Sequence, residues 1–132
     1  FEIFVHQLRL EITYSTLMAD SVREQGTLTI KKSGITLAID DFGTRYSLMS
    51  DLKAIDAGLL KIDRSFIVGI GQAELRENIR ATITLAQSLN IETVAKGVDT
   101  QEQLAFLKRL SCDYIQGFLF FKPLTPADFE LF

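Results

Sequence analysis

Several polar side chains in this sequence stand where they could act together. Glu11, the adjacent Asp40 and Asp41, Lys61, Lys96 and Gln116 each lie inside, or at the C-terminal end of, a short apolar run. Carboxylates are hard oxygen donors, and lysine ammonium groups answer anionic charge. The single histidine, His6, argues against a His-rich zinc site but leaves carboxylate-built sites open. His6 precedes the first clear strand and reads as a packing residue. The single cysteine, Cys112, excludes an internal disulfide, fits a reducing compartment, and reads as a small buried hydrophobe. Any one of the polar residues, taken alone, is equally well a solvated loop charge. Their repetition at one topological position carries the argument.

The elements that must position them alternate between two periods. Leu8–Ile12 reads as a strand, with Leu and Ile alternating against Arg and Glu. A loose helical pattern runs from Ser15 or Thr16 to Lys32, weakened by Gly26. Ile35–Ile39 is a nearly continuous apolar run ending at Asp40-Asp41, as expected of a parallel strand buried on both faces. Tyr46–Ile55 reads as a helix and Leu59–Ile62 as a third strand. Glu74–Leu89 is the clearest helix, with Leu75, Ile79, Ile83 and Ala86 on one stripe. Ile91–Ala95 is a fourth strand. Thr100 caps a helix over Gln101–Leu110, with Gln103 at the capping-box position. Asp113–Ile115 is a fifth, very short strand, and Thr-Pro opens a terminal helix over Thr125–Phe132. Phe118, Phe120, Phe121, Phe129 and Phe132 read as core or interface rather than a base-stacking platform. Strand-helix repetition predicts an α/β fold with a parallel sheet or barrel, and in a barrel the C-terminal strand ends converge on one face.

Composition bounds the function. The chain has 132 residues, 47% of them hydrophobic, with 14 basic and 17 acidic side chains and a net charge of -3. That is one domain with enough apolar material for a core, and it excludes a wholly disordered chain. Lys31-Lys32 and Lys108-Arg109 are the only adjacent basic pairs. A coat for a nucleic acid polymer is therefore excluded as well. No apolar run reaches the roughly 18 residues of a membrane span, and no Walker or Rossmann glycine pattern is present. Because the first residue is Phe1, the chain reads as a piece with an upstream portion, expected in the cytoplasm or on the cytoplasmic side of a membrane-attached protein.

The motifs are more specific than the pattern. Leu-Glu-Ile-Thr at 10–13, Asp-Asp-Phe-Gly-Thr at 40–44, Leu-Lys-Ile-Asp-Arg-Ser-Phe-Ile at 60–67, Val-Ala-Lys-Gly-Val-Asp at 94–99 and Ile-Gln-Gly-Phe at 115–118 follow one another in order. In order and spacing this resembles the EAL-domain family, bacterial cyclic di-GMP phosphodiesterases, over nearly the whole chain from Leu10. The resemblance implies a TIM-type (β/α) barrel, of which residues 1–132 would be the C-terminal half. It also implies a pair of Mg2+ or Mn2+ ions, with Glu11, Asp40 and Asp41 at metal-ligand positions and Asp41 placed to touch both. Lys61 matches a lysine that contacts the attacking water, and Gln116 a glutamine near the metal site. Asp63 reads as the cap of the following turn.

Three departures stand beside these matches. Lys96 occupies the place of a family glutamate, and an ammonium cannot ligate a divalent cation and repels one. Asp99 keeps the charge of a second glutamate on a shorter arm. Tyr14 replaces a glutamate that anchors the Asp-Asp-Phe-Gly loop, and Arg45 replaces a glycine in it, which reshapes a loop that glycine would leave free. The resemblance thus implies a degenerate domain without catalysis, a regulatory or nucleotide-sensing module for which Asp99, Gln116 and Arg45 are candidate ligand contacts. An active metal-dependent phosphodiesterase and a pure protein-interaction module are the alternatives. Cyclic di-GMP is the expected small ligand, and a divalent ion is expected only if the site retains it. A half barrel leaves two open edges, so a second copy of the chain or the rest of a larger signalling protein is the expected partner. Lys96 itself is expected either to neutralise part of the charge of Glu11, Asp40 and Asp41 at the mouth or to point into solvent.

Overall fold

The computed structural model describes residues 4–17, 29–30, 32–43, 52 and 55–131. Five strands, β1 (Arg9–Thr13), β2 (Thr36–Phe42), β3 (Leu59–Ile62), β4 (Glu92–Lys96) and β5 (Tyr114–Gln116), form one sheet in the order β1-β2-β3-β4-β5, and every pairing is parallel. Helices described between them are α1 (Tyr14–Leu17), α2 (Arg64–Val68), α3 (Ala73–Ser88) and α4 (Gln101–Arg109), with α5 (Pro126–Glu130) after β5. Strands that neighbour one another in chain order belong to a sheet that winds in one direction, as in a barrel.

The sheet curls strongly. Four strand spacings of about 4.8 Å would hold β1 and β5 roughly 19 Å apart in a flat sheet. Yet the Arg9 guanidinium on β1 lies 5.7 Å from the centre of the Tyr114 ring on β5. Only an arc brings those inner-face side chains together.

Alternation along the strands sorts the rest. Leu37, Ile39, Phe42 and Leu60 join Tyr14, Leu17, Ala86 and Ile91 in one apolar cluster. Ile62 and Ala95 join Ile67, Ile79, Ile83, Val98, Leu104 and Leu107 in a second. The opposite parity gives Ala38, Leu59 and Val94, which pack together on the inner face. β3 is buried at every position, which is why its residues read as an apolar run rather than an alternation.

Expected boundaries shift by a residue or two. β1, β4 and β5 each run one residue further at the C-terminal end, and β2 extends through Asp40, Asp41 and Phe42. The two aspartates are therefore in the strand, because ladder pairing continues to Phe42 opposite Ile62 across a register shift. The short helix α2 lacks enough turns to show a period and was not expected. The helix expected to end at Lys32 and the one over Tyr46–Ile55 lie largely outside the described residues. Phe118, Phe120, Phe121 and Phe129 are more than half exposed, so they are not core within this chain; Phe132 lies outside the described residues. His6 is exposed and stacks on Phe4 with ring centres 5.7 Å apart.

The expected capping box is present and larger than its motif. Thr100 Oγ1 accepts from Gln103 N, while the buried Gln103 side chain accepts from Asp99 N at 2.7 Å and Thr100 N at 3.0 Å. Its amide also donates to the Ile67 carbonyl at 3.3 Å, tying α4 to α2. Thr100→Ala is expected to cost about 1 kcal/mol. Gln103→Ala, which strips partners from three backbone groups, is expected to cost about 2–3 kcal/mol. Urea unfolding of both variants checks the ranking, and an equal or inverted order would refute the link to Ile67.

Candidate functional site

The curl that joins β1 to β5 also lets side chains bridge strands that are not neighbours. Lys61 on β3 donates to Glu11 Oε1 on β1 at 2.7 Å. Lys96 on β4 donates to Asp40 Oδ1 at 2.8 Å and Asp41 Oδ1 at 3.1 Å, both on β2. Each lysine therefore reaches over one intervening strand. Lys61 is buried and Lys96 half-buried, whereas Glu11 keeps half of its side chain in solvent. Gln116 stands directly opposite Lys96 in the β4–β5 ladder, and its carbonyl accepts from Val98 N.

Asp41 carries the sharpest local constraint. Its φ is +55°, a left-handed conformation uncommon for a residue with a Cβ but tolerated by aspartate. It sits at the register shift between β2 and β3, where a bulge re-aims side chains. Its backbone N–H donates to Asp40 Oδ1 at 2.8 Å. One aspartate thus orients the next, and both face the same ammonium. Tyr14, at the position the resemblance gives to a glutamate, is buried and packs edge-on against Phe42, ring centres 5.7 Å apart. Gly43 follows at φ +95°, where a Cβ would crowd the Phe66 ring.

Electrostatics follow from this arrangement. Burial pushes the Asp40 carboxyl up, but the Lys96 hydrogen bond, the Asp41 N–H and the charges of Lys96 and Lys61 outweigh it, leaving the pKa below the ordinary carboxylate value. Burial likewise favours a neutral Lys96, yet its bonds and charge pairing with Asp40 and Asp41 hold its pKa above the ordinary lysine value. Asp63 caps α2 as expected, its Oδ2 accepting from Ser65 N at 2.9 Å and Ser65 Oγ at 2.6 Å. Against the opposing effect of burial, those bonds, with the charge of Lys96 beside it, hold its pKa low. Cys112 is half-buried against the second apolar cluster, and burial pushes its thiol up. It is a packing residue.

Beside the mouth lies a cleft of about 450 Å³ lined by Arg64, Lys96, Asp99, Gln116, Phe118 and Lys122, among others. Asp99 is its hinge. One carboxylate oxygen accepts from Arg64 at 3.1 Å and the other from the Phe118 N–H at 3.1 Å. A Cβ on Gly97, whose φ is +73°, would collide with the Arg64 side chain, and one on Gly117 with the Val98 backbone. Both glycines permit this close approach. Sequence reasoning missed Arg64, Phe118 and Lys122 as cleft residues. The available signal for Arg64 was its place just after a strand end, beside the expected Asp63 cap. Arg45 lies outside the described residues.

Two divalent cations would need carboxylate oxygens that converge with lone pairs free. Here Glu11 pairs with Lys61, and Asp40 and Asp41 share Lys96. Among the described residues no three Asp, Glu, His or Cys side chains are grouped to hold a metal ion. As arranged, the donor set does not fit a metal pair.

Comparison with known proteins gives this arrangement a setting. The EAL domain family matches residues 2–123. The cyclic di-GMP phosphodiesterase NbdA of Pseudomonas aeruginosa is 41% identical over 127 residues, covering 95% of this chain and 16% of the relative. A solved structure of the PaMucR phosphodiesterase in complex with c-di-GMP superposes with a TM-score of 0.88 at 37% identity, covering 95% of this chain and 51% of that one. The Klebsiella pneumoniae BlrP1 complex with manganese and c-di-GMP superposes at 0.84 with 28% identity, covering 92% of this chain and 31% of that one. This chain therefore spans about half, or less, of the proteins it matches, and the five strands are part of a larger TIM-barrel-like domain.

The shifts give the mouth a pH dependence of definite sign. Asp40 is depressed in the folded state, so its contribution is complete above its ordinary value of 3.8 and is lost as pH falls through the lower folded value. Lys96 is raised, so its contribution is complete below 10.5 and is lost as pH rises through the higher folded value. Lys96→Met is expected to cost about 2 kcal/mol at neutral pH. The stability gap between wild type and variant, followed by urea unfolding, should close below about pH 4 as Asp40 protonates. A gap that stays constant with pH would show that Lys96 matters only through packing.

Proposed function

The chain belongs to the EAL-domain family of cyclic di-GMP signalling proteins, and from that premise we propose that it is a regulatory or nucleotide-sensing module that does not hydrolyse cyclic di-GMP. One observation carries this reading: the Lys96 ammonium sits 2.8 and 3.1 Å from the two aspartates that a divalent ion would have to share. Hydrolysis of a phosphodiester by a metal pair needs a metal-activated water and metal-neutralised phosphoryl oxygens. A lysine supplies positive charge at that place but neither a coordination position nor a lowered water pKa. The charge balance at the rim is preserved while the chemistry is forfeited.

Binding is a separate matter from hydrolysis. The cleft next to Lys96 places Arg64, Lys96 and Lys122 near the exposed Phe118 and Phe121, a combination suited to an anionic ligand with planar bases. In this reading Gln116 and Lys96 face the ligand, Asp99 holds Arg64 and the Phe118 backbone in place, and Lys61 keeps Glu11 neutralised. Arg45 is proposed as a further contact. The open edges β1 and β5 are covered by the remainder of a larger signalling protein or by a second copy of the chain, and the assembly works in the cytoplasm. The exposed aromatic residues at the C-terminal end support a protein-contact role alongside nucleotide sensing.

A second reading keeps catalysis. Glu11, Asp40, Asp41 and Lys61 are all gathered at one mouth, and relatives such as NbdA are cyclic di-GMP phosphodiesterases. Under it, Mg2+ or Mn2+ would displace the lysine from the aspartates. The intact signalling protein, given cyclic di-GMP with Mg2+ or Mn2+ and followed by chromatography of the products, separates the two. No turnover is expected, together with saturable nucleotide binding that weakens about tenfold in Arg64→Gln, the loss of one charge-assisted contact. Lys96→Glu is expected to gain Mn2+ binding measurable by titration. Metal-dependent hydrolysis by the wild-type protein would overturn the non-catalytic reading, and absence of nucleotide binding would leave the interaction module in its place.

A further inference from the structure

A second cavity lies away from the mouth, on the outer surface between α3 and α4. It encloses about 400 Å³ and is lined by Arg76, Glu77 and Arg80 from α3, by Phe106 and Arg109 from α4, and by Leu110 just beyond it. Arg76 and Arg80 are one helical turn apart, so like charges share one face of α3, an arrangement that destabilises an isolated helix. Arg109 adds a third guanidinium from the neighbouring helix and lies 6.0 Å from the centre of the buried Phe106 ring. Glu77 is the one carboxylate in the lining, and it pairs with Arg80 at 3.5 Å. Among the described residues no carboxylate pairs with Arg76 or Arg109. Three cations and one anion leave the groove at about +2 in a chain whose net charge is -3.

α3 joins β3 to β4 and α4 joins β4 to β5, so the groove lies inside the five-strand arc and not at its open edges, β1 and β5.

We propose that this groove between α3 and α4 binds a phosphate monoester whose apolar body rests on the half-buried Leu110. A phosphate monoester carries about -1.5 to -2 at neutral pH, which matches the excess charge of the lining. Guanidinium forks meet phosphate oxygens in paired, directional hydrogen bonds, which a lysine cannot supply. A groove of this volume falls within the range of small-ligand sites, and the half-buried Leu110 in its lining offers an apolar contact to a ligand that is more than a bare ion. The site is separate from the mouth and does not depend on the reading of Lys96.

Calorimetric titration of the full chain with phenyl phosphate, inorganic phosphate and phenol tests it. Phenyl phosphate is expected to bind saturably and about tenfold tighter than inorganic phosphate, with phenol showing no binding, since charge and apolar contact are both required. Affinity should fall about tenfold or more in Arg76→Gln/Arg109→Gln, in which two exposed side chains change and the core is untouched, and circular dichroism should be unaltered. Arg64→Gln, at the mouth, should leave the affinity as it was. Absence of phenyl phosphate binding, equal affinity for phenol, affinity undiminished in the double variant, or loss in Arg64→Gln would each overturn the proposal.

Discussion

The bridge from Lys96 to Asp40 and Asp41 is the contact on which the mouth of this sheet depends. It crosses from β4 to β2 over β3, with N–O distances of 2.8 and 3.1 Å. Three carboxylates at one rim repel each other unless cations answer them. Lys96 and Lys61 provide two positive charges against Glu11, Asp40 and Asp41, leaving about one negative charge to be met by solvent. Half-burial makes these contacts stronger than surface ion pairs and makes losing either partner costly.

What holds the bridge in register is mostly apolar. Ala38, Leu59 and Val94 form the inner layer among the charges, and the two clusters on the opposite face clamp the strands against their helices. The backbone near the rim is then shaped by a few demanding positions. Asp41 takes a left-handed conformation at a register shift, and Gly97 and Gly117 let the segments after β4 and β5 approach without a Cβ between them. Asp99 and Gln103 secure those same segments through backbone N–H groups. The rim is thus held by contacts distributed over several elements.

Two chemically different surfaces result. The mouth is a half-buried network of three carboxylates and two ammonium groups, and its adjoining cleft adds aromatic faces. The groove between α3 and α4 has cations in excess, with Leu110 beside them.

The sequence by itself determined the alternation of elements, the stripe of Ile79, Ile83 and Ala86, the Thr100–Gln103 capping box and the Asp63 cap, because each rests on neighbours within a few residues. It also placed Glu11, Asp40, Asp41, Lys61, Lys96 and Gln116 at strand ends, since the period of a strand is local. It showed through its motifs which family to expect, including the lysine at position 96. Tertiary structure alone decided which ammonium meets which carboxylate: Lys61 and Glu11 are separated by 50 residues, and Lys96 and Asp40 by 56. Those pairings follow from sheet curvature, which is a property of all five strands together. The same holds for Tyr14 against Phe42, for Arg64 against Asp99, and for Arg109 beside Arg76 and Arg80 on another helix. The exposure of the C-terminal phenylalanines was likewise beyond local reading, because an aromatic side chain is core only if another element comes to cover it.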